Sequence, residues 1–594
     1  MSAERKRDDR KGIIIFYVLA VLVGGVAGFG AVVFRGLIAL FHNLFFLGTF
    51  SFSYNANAHT PVSPLGPFII LVPIVGAIGV SFLVKNFAPE AKGHGVPEVM
   101  EAIYFNKGII RPIVAAVKAL ASALSIGSGG SVGREGPIVQ IGSSFGSTLG
   151  QIIDMPAWQR ITLIAAGTGG GIAATFNTPI GGLLFAVELT LQELSVRTLV
   201  PVAIATATAT YIGQLFFGSH PSFVIPALQT HYFHPDNPGA LLLYALLGIL
   251  MGFVSALFIK SIYGAEDFFE KKIKGGYYVR HMMGMLPVGI LIYVLMLTKG
   301  QYYIEGVGYS TVQDVLTGSL HGVGLLVLLF FLKLLVTSLT LGSGGSGGIF
   351  SPSLYLGVTA GGIFGVIMQK IFPGISPSPA AFAVAGMAGV AGGATGAAVA
   401  AISMIFEMTL DYSVIVPMVI TVAISYGVRQ MISRESIYTL KLARRGRPIS
   451  EAMERDFHHM TPVKKIMETR IAVLKTSMTI EQFSRLVADQ REAVFFLLDD
   501  PDNVLRVIGR EAASLACGQT DQARTVGDLA TEDYVTVPED ATVFDAIVAM
   551  REQKKSIVLV TKEAATPTAN NVEGIVTRQD LGEVMMSSVD LVSG

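Results

Sequence analysis

The chain has 594 residues, of which 51% are hydrophobic and only 14% are charged, and its mean hydropathy is +0.58. These values exclude an ordinary water-soluble globular protein, and the formal net charge of zero gives no indication of a nucleic-acid partner. The single cysteine, Cys517, excludes an internal disulfide and a cysteine-rich metal site, and no metal ligands are predicted.

Apolar stretches long enough to cross a bilayer recur up to residue 445. They lie at 12–34, 67–85, 239–259, 283–298, 323–341 and 412–432. The first is too long for a secretion signal and has no clear cleavage site, so we expect it to be retained. Basic residues precede the first stretch and follow the last, which places both termini in the cytoplasm. The sequence predicts a multi-pass protein embedded in lipid, of the bacterial inner membrane type.

The membrane part, residues 1–445, is internally duplicated. Residues 118–142 overlay 333–357 at an offset of 215, and both contain GSGGS. Further on, the overlay pairs Glu188 with Glu407. Because several segments recur in the same order, the sequence predicts two related halves, about 12–217 and 239–445.

The second domain, residues 446–594, is richer in charged residues and has only short apolar runs, which is typical of a soluble α/β domain. It also repeats itself, at an offset of 63, so that Thr479 matches Thr542. Each copy is predicted to be a threonine-capped helix followed by a buried strand.

An arginine and a glutamate, Arg134 and Glu135, stand in an otherwise apolar and glycine-rich stretch, directly before Gly136-Pro137. Proline favours the first turn of a helix, so we expect a helix to start there, and similar glycine–proline starts occur at 93–97 and 348–352. Free N–H groups at such starts bind anions weakly enough for release, and glycine lets an ion approach the backbone. An ionised carboxylate competes with the ion and withdraws when protonated. We therefore predict that Glu135 is both gate and proton acceptor.

Five segments carry a family resemblance: GHGVPEVMEA, GREGPIVQIG, FNTPIGGLLFAVE, GGIFSP and ESIYTLKL. In order and spacing they resemble the CLC chloride channels and chloride/proton antiporters, over residues 12–445. The resemblance implies an all-α polytopic domain of two inverted repeats. It also implies a homodimer in which each subunit passes chloride or a similar small anion, with protons as possible partners in exchange.

By position, the resemblance makes Glu135 the external gate and assigns the central anion to residues at helix starts. These are His94, Gly95, Val96, Ile349, Phe350 and Tyr438. The family usually has serine where this chain has His94, so chloride, bicarbonate and nitrate all stay open as the preferred anion. An imidazole can donate an N–H to an anion or add charge by protonation.

The resemblance does not decide whether anion transport in this chain is coupled to proton transport. Glu188 matches a carboxylate that is widespread in the family and is a candidate for a proton path. The next position, where many antiporters have an internal proton glutamate, is Leu189. An uncoupled anion channel therefore stays open as an alternative.

The repeat in 446–594 resembles a pair of CBS modules. Thr577 and Asp580, in GIVTRQDL, match residues that contact ribose in nucleotide-binding pairs, whereas the first copy has VIGREAASL at 507–515 and lacks the aspartate. Adenine nucleotide is the only cofactor that this pattern suggests, and a structural or dimerising role stays open.

Two alternatives from other classes are weaker. Residues 129–133 and 344–348 fit the G-x-S-x-G pattern of serine hydrolases, but that pattern needs a strand–turn–helix setting and a histidine partner. A divalent-cation channel would need several inward carboxylates as oxygen ligands, whereas these helix starts present donors. The chain is accordingly not predicted to be an enzyme.

Overall fold

The computed structural model describes most of the chain. The described residues are 2–191, 195–225, 238–449, 462–475, 478–489, 493–499, 506–509, 526, 530–539, 541–562, 567–568 and 571–581. The chain divides into two compact units, residues 1–448 and 449–594. Cys517 and most of the segment 507–515 lie outside the described residues.

The first unit is helical in its described part. Its helices are α1 (Ser2–His42), α2 (Val72–Asn86), α3 (Val96–Phe105), α4 (Ile113–Gly127), α5 (Glu135–Ile152), α6 (Ala157–Phe176), α7 (Pro179–Thr190), α8 (Val196–Phe217), α9 (Pro238–Lys272), α10 (Tyr277–Lys299), α11 (Tyr309–Thr317), α12 (Val323–Gly342), α13 (Phe350–Ile371), α14 (Pro379–Thr395), α15 (Ala398–Thr409), α16 (Ile415–Ile432) and α17 (Thr439–Arg444). Within the described ranges, 8 helices are long and apolar enough to cross a membrane, and four shorter apolar helices accompany them.

Two of the long apolar helices, α8 and α13, are missing from the stretches predicted by sequence, so that prediction was incomplete. Their mean hydropathies of 1.5 and 1.4 fall below the 2.3 of Ile14–Leu47. In α8 the difference comes partly from threonines, whose hydroxyls bond within the helix: Thr208 donates to the Ile204 carbonyl and Thr210 to the Thr206 carbonyl, both at 2.8 Å. These hydroxyls are satisfied without water, so an apolar environment tolerates them.

Matched glycines bring matched helices together in the two halves. A Cβ on Gly142 of α5 would collide with the Gly167 carbonyl of α6, and a Cβ on Gly167 would collide with the Gly142 carbonyl. In the second half, Gly357 of α13 and Gly386 of α14 have the same reciprocal relation. Small residues therefore let these helix backbones touch, as is common between helices in membranes.

The second unit contains two three-stranded sheets among its described residues. The helices are α18 (Ile480–Asp489) and α19 (Val543–Glu552), and the strands are β1 (Ile471–Lys475), β2 (Phe495–Asp499), β3 (Arg506–Gly509), β4 (Tyr534–Pro538), β5 (Ile557–Thr561) and β6 (Val572–Thr577). The sheet orders are β1-β2-β3 and β4-β5-β6, each with one parallel and one antiparallel pair. The predicted α/β repeat is confirmed.

The predicted threonine caps are present in both copies. Thr542 accepts from the amide of Asp545 at 3.2 Å, and the Asp545 carboxylate accepts from the Thr542 amide at 2.9 Å. Thr479 and Gln482 form the same reciprocal pair at 3.4 and 3.3 Å. Such capping boxes satisfy two orphan donors at the start of a helix.

Candidate functional site

Three helix entrances meet in a backbone junction, formed by residues 93, 133 and 345–348. Gly133 and Gly348 exchange both amide–carbonyl bonds, at 2.7 and 2.6 Å, in an antiparallel bridge. Gly93 donates to the Gly345 carbonyl at 3.0 Å and accepts from the Gly347 amide at 3.2 Å. The junction therefore sets the starts of α3, α5 and α13 beside one another.

Two buried lysines hold the backbone around this junction. Lys118 donates to the carbonyls of Ala91 and Gly93, at 3.0 and 2.7 Å, just before α3. Lys333 donates to the carbonyls of Ile304 and Gly306, at 3.1 and 3.0 Å, just before α11. Lys118 and Lys333 occupy matched positions of the repeat, and each ammonium group binds the turn that precedes a helix start.

Glu135 lies at the start of α5 and is 2% exposed. Its carboxylate accepts from the Tyr309 hydroxyl at 2.7 Å, from the Ser351 amide at 3.3 Å and from the Ser351 hydroxyl. Ser351 is the second residue of α13, so the carboxylate occupies the amino-terminal end of a different helix. In this position a side-chain anion takes donors that a free anion would otherwise use.

The space beside Glu135 depends on two glycines. A Cβ on Gly136 would collide with the His94 carbonyl, and a Cβ on Gly95 would lie 2.8 Å from the Gly136 carbonyl oxygen. Gly95 also has a φ of 87°, a conformation that other residues rarely adopt. Side chains at these positions would push α3 and α5 apart.

Two of the residues assigned to the central anion, His94 and Tyr438, lie close together. The ring centroids of His94 and Tyr438 are 6.0 Å apart, and both side chains are buried. His94 Nδ1 has no hydrogen-bond partner among the described residues. His94 also lines a cavity of ≈ 310 Å³ together with Lys92, Tyr263, Lys441, Arg444 and Arg445. Glu266 and Glu270 line the same cavity, and its cations are ion-paired with carboxylates, as Lys441 is with Glu98. A polar opening with charges of both signs therefore leads to this imidazole.

Four backbone amides at the starts of α3 and α13 donate no hydrogen bond to another backbone group in the described part of the chain. They belong to Gly95, Val96, Ile349 and Phe350. All four lie at the first position of a helix or at the residue before it, where N–H groups have no partner within the helix. The arrangement presents partial positive charge without a fixed cation, which suits reversible binding of an anion.

Glu188 lies apart from this cluster. Its two oxygens accept from the amides of Val399 and Ala400 at the start of α15, at 3.0 and 2.7 Å. Glu407, its repeat partner, accepts from Ile180 and Gly181 at the start of α7, at 3.0 and 2.6 Å. Each glutamate caps the other half's helix, so both are hydrogen-bond hubs. Leu189 is buried, and a proton path through Glu188 stays a prediction.

Thr577 and Asp580 engage each other in the second unit. The Asp580 carboxylate accepts from the Thr577 amide at 2.7 Å and from its hydroxyl at 2.8 Å. This is the geometry of a helix cap, which by itself accounts for both residue types. Nucleotide binding at this pair stays a prediction.

The two G-x-S-x-G serines are held as structural hydroxyls. Ser131 lies 3.2 Å from the Thr337 hydroxyl, and Ser346 donates to the Ala91 carbonyl at 2.7 Å. Each motif joins two helices, α4 to α5 and α12 to α13, rather than a strand to a helix. The setting required of a hydrolase nucleophile is therefore not met.

The sequence predictions missed Tyr309 and Ser351 as partners of Glu135. The internal repeat holds a signal for Tyr309, because Gly306-Val307-Gly308 matches Gly93-His94-Gly95. That match places Tyr309 at a helix start equivalent to the start of α3. Ser351 gave no such signal, since a serine before a proline is ordinary in a first turn.

Paired, duplicated helices that begin at an internal junction define a membrane-transport class of fold. The model of the family described as voltage gated chloride channel matches residues 76–430, and a CBS domain model matches residues 526–587. The chain belongs to the voltage gated chloride channel (CLC) family.

Curated relatives cover most of the membrane unit. The chain is 32% identical over 443 residues to the H⁺/Cl⁻ exchange transporter ClcA of Vibrio parahaemolyticus, which covers 72% of this chain and 89% of the relative. It is 30% identical over 447 residues to ClcA of Salmonella paratyphi A, covering 74% and 90%. These relatives are transporters, and none of these findings favours the hydrolase alternative.

Solved structures agree in fold. A slow cyanobacterial Cl⁻/H⁺ antiporter superposes with a TM-score of 0.62 at 24% identity, over 72% of this chain and 97% of that one. A eukaryotic CLC transporter gives a TM-score of 0.58 at 20% identity, over 95% and 97%. The all-α membrane domain of CLC type, followed by an α/β CBS region, is confirmed.

Proposed function

We propose that this protein exchanges chloride, or a similar small anion, for protons across a membrane, through a pathway within each subunit that Glu135 gates. The observation that carries the proposal is the Glu135 carboxylate, which accepts from the Ser351 amide at the start of α13. An anion that replaced this carboxylate would find the same donors. The names of the curated relatives, H⁺/Cl⁻ exchange transporters, support the choice of ions.

Protonation of Glu135 couples the two ions in this mechanism. The ionised carboxylate competes with a free anion for the Ser351 amide and the Tyr309 hydroxyl. A proton removes that charge and weakens its hold, because hydrogen bonds to ionised acceptors are the stronger ones. The side chain then leaves, the anion takes its place, and the proton moves with the carboxyl group.

The central anion is proposed to bind between His94 and Tyr438. The His94 ring can supply a neutral N–H donor, and the amides of Ile349 and Phe350 supply partial positive charge. The polar cavity that His94 lines would give anions access to this place from one face of the membrane. We assign that face to the cytoplasm, together with both termini, in the inner membrane of a bacterium.

A second copy of the chain is proposed to cover α7 and α15. Ile180 and Val399 are 56% and 53% exposed there, and the charged Glu188 is also exposed between them. A carboxylate that faces lipid is costly, whereas a protein partner would shield it. Mass measurement of the purified protein in detergent tests this, and a monomer at all concentrations would contradict it.

The zero-current voltage of the purified protein in liposomes, under opposed chloride and pH gradients, tests exchange directly. Exchange predicts a voltage that shifts when either gradient is changed. A voltage set by chloride alone would establish the uncoupled channel that Leu189 leaves open. Absence of anion-dependent current or flux would refute the proposal.

We also propose that adenine nucleotide binds beside Thr577 and Asp580. Titration calorimetry of the full-length protein with ATP and AMP tests this. Heat that disappears in Asp580→Ala would support it, and no heat with either nucleotide would leave the CBS region with a structural role.

A further inference from the structure

A basic cleft lies between the end of α2 and the start of α10. Lys85, in the last turn of α2, and Arg280, in the first turn of α10, line one cavity of ≈ 230 Å³. Both helices belong to apolar spans long enough to cross a membrane, and they pack against each other. Lys92 lines this cavity and also the one beside His94, so the cleft lies on the face that we assign to the cytoplasm. It therefore stands where two spans meet the boundary between membrane and water.

The positive charge of this cleft exceeds what the protein neutralises. Among the described residues that line it, Glu270 is the acidic one, and its carboxylate lies 3.8 Å from Lys92 Nζ. In the described part of the chain, Lys85 and Arg280 form no ion pair, and Arg280 Nε is buried without a hydrogen-bond partner. Residues 272–281, which lead into α10, add two lysines and no Asp or Glu. Two cations therefore remain for an acceptor that the described residues do not supply.

Two tyrosines at the start of α10 hold the walls of the cleft. Tyr277 lines it and donates to the Gly344 carbonyl at 2.6 Å, directly before the backbone junction. The Tyr278 ring is partly buried, and its centroid lies 5.5 Å from Lys85 Nζ. Tyrosine is enriched where a membrane meets water, because its ring is apolar and its hydroxyl is polar. The cleft is therefore fixed at headgroup depth by groups that suit that position.

Exposed apolar side chains lie one helical turn deeper in the membrane than the two cations. Phe82 precedes Lys85 by three residues on α2, and Met283 follows Arg280 by three residues on α10. Residues three apart share a helix face, so each apolar side chain lies on the face of its cation. Phe82 is 51% exposed and Met283 is 50% exposed. A matching ligand has an anionic group next to hydrocarbon chains.

We propose that this cleft binds the headgroup of an anionic phospholipid, with Arg280 and Lys85 on its phosphate. A guanidinium can donate two parallel hydrogen bonds to a phosphate, and an ammonium adds a point charge. Basic pockets between spans on the cytoplasmic side suit anionic lipids, which that leaflet contains. Inorganic phosphate has the same anionic group but no chains for Phe82 and Met283. The inference goes beyond the proposed function and does not depend on ion exchange.

Native mass spectrometry of the full-length protein in detergent, titrated with dioleoyl phosphatidylglycerol or dioleoyl phosphatidylcholine, tests the site. We expect the tightest phosphatidylglycerol to bind roughly tenfold more strongly than phosphatidylcholine, because a charge-assisted hydrogen bond contributes about that much to affinity. Arg280→Gln should remove most of this difference. Arg280→Lys, which keeps the charge but loses the planar donors, should fall between. Equal affinity of the wild type for the two lipids would overturn the inference.

Lys299→Gln is the matched control. Lys299 ends α10, is exposed, and does not line the cleft. The same loss of charge at the opposite end of this helix should leave the preference for phosphatidylglycerol unchanged, and an equal loss in both variants would overturn the site. Inorganic phosphate is added in a parallel titration to separate the two sources of the anionic group. If it displaced the lipid at equal concentration, and lost this effect in Arg280→Gln, the occupant would be free phosphate and the lipid would be wrong.

Electron cryomicroscopy of the wild-type protein in phosphatidylglycerol nanodiscs gives a test that does not depend on the folding of a variant. We expect headgroup density within hydrogen-bond distance of the Arg280 guanidinium and beside Lys85, with acyl density along Phe82 and Met283. A well-resolved cleft without lipid density would overturn the inference. Because both experiments measure binding, a failure here leaves ion exchange standing, and a failure of ion exchange leaves the lipid site standing.

Discussion

The two halves of the membrane unit keep the same supports but differ where their central helices begin. Lys118 and Lys333 each bind two carbonyls before a helix start. At the start of α5 stands Glu135, whereas α13 starts with an uncharged phenylalanine and serine. The two halves therefore share the lysines that hold the backbone. They differ in the residues at the starts of α5 and α13, where only α5 has a carboxylate.

The largest effect is expected from Glu135→Gln, which removes the negative charge from the start of α5. Glutamine keeps the shape but cannot titrate, so proton flux should fall at least about tenfold while anion flux continues. Chloride and pH electrodes on the same liposomes measure both. Glu407→Gln is the control and should leave the ratio of the fluxes unchanged. Normal proton flux in Glu135→Gln would remove the gate from the mechanism.

The next effect tests whether the shared supports are equivalent. Lys118→Met and Lys333→Met each leave two carbonyls without their donor, so each should lower the free energy of unfolding by about 3 kcal/mol. Thermal or denaturant unfolding in detergent measures this, with the exposed Lys299→Met as a control expected within about 0.5 kcal/mol of wild type. If only one of the two variants lost much of its free energy of unfolding, the two lysines would not be equivalent.

A smaller effect is expected where the halves cap each other. Glu188→Gln and Glu407→Gln replace a charged cap by a neutral one, and each should lower the free energy of unfolding by about 1 kcal/mol. The proton flux of the same two variants shows whether Glu188 and Glu407 also differ in function. If Glu188→Gln abolishes proton flux and Glu407→Gln does not, the predicted proton path through Glu188 gains support. Equal fluxes in both variants would leave Glu188 as a cap alone.

The smallest effect belongs to the two copies of the second unit. Thr542→Ala should lower the free energy of unfolding of that unit by about 0.5 kcal/mol, because this cap is exposed to water. Thr479→Ala should lower it by less, because its cap bonds are longer, 3.4 and 3.3 Å against 3.2 and 2.9 Å. Hydrogen exchange in the full-length protein measures both, and a larger loss in Thr479→Ala would contradict the comparison.

The helix starts could be read from sequence because they depend on local chemistry. Glycine and proline place the starts of α3, α5 and α13 within a residue or two of where the structure has them. The duplication paired Glu188 with Glu407 by position, and in the structure each caps a helix of the other half. The same overlay matches Lys118 with Lys333, and both bind carbonyls before a helix start.

What sequence could not supply was which distant groups meet. Tyr309 and Glu135 are separated by 174 positions, and their contact depends on how α11 packs against α13. The missed span α8 shows another limit, because hydropathy counts a threonine as polar even when its hydroxyl bonds inside the helix.

The Gly133–Gly348 bridge has a consequence for the synthesis and insertion of the chain. Its two hydrogen bonds join residues that are translated far apart, one from each copy of the ancestral segment. Until both copies have been synthesised this bridge cannot form, so the starts of α5 and α13 are not held beside one another by the first copy alone.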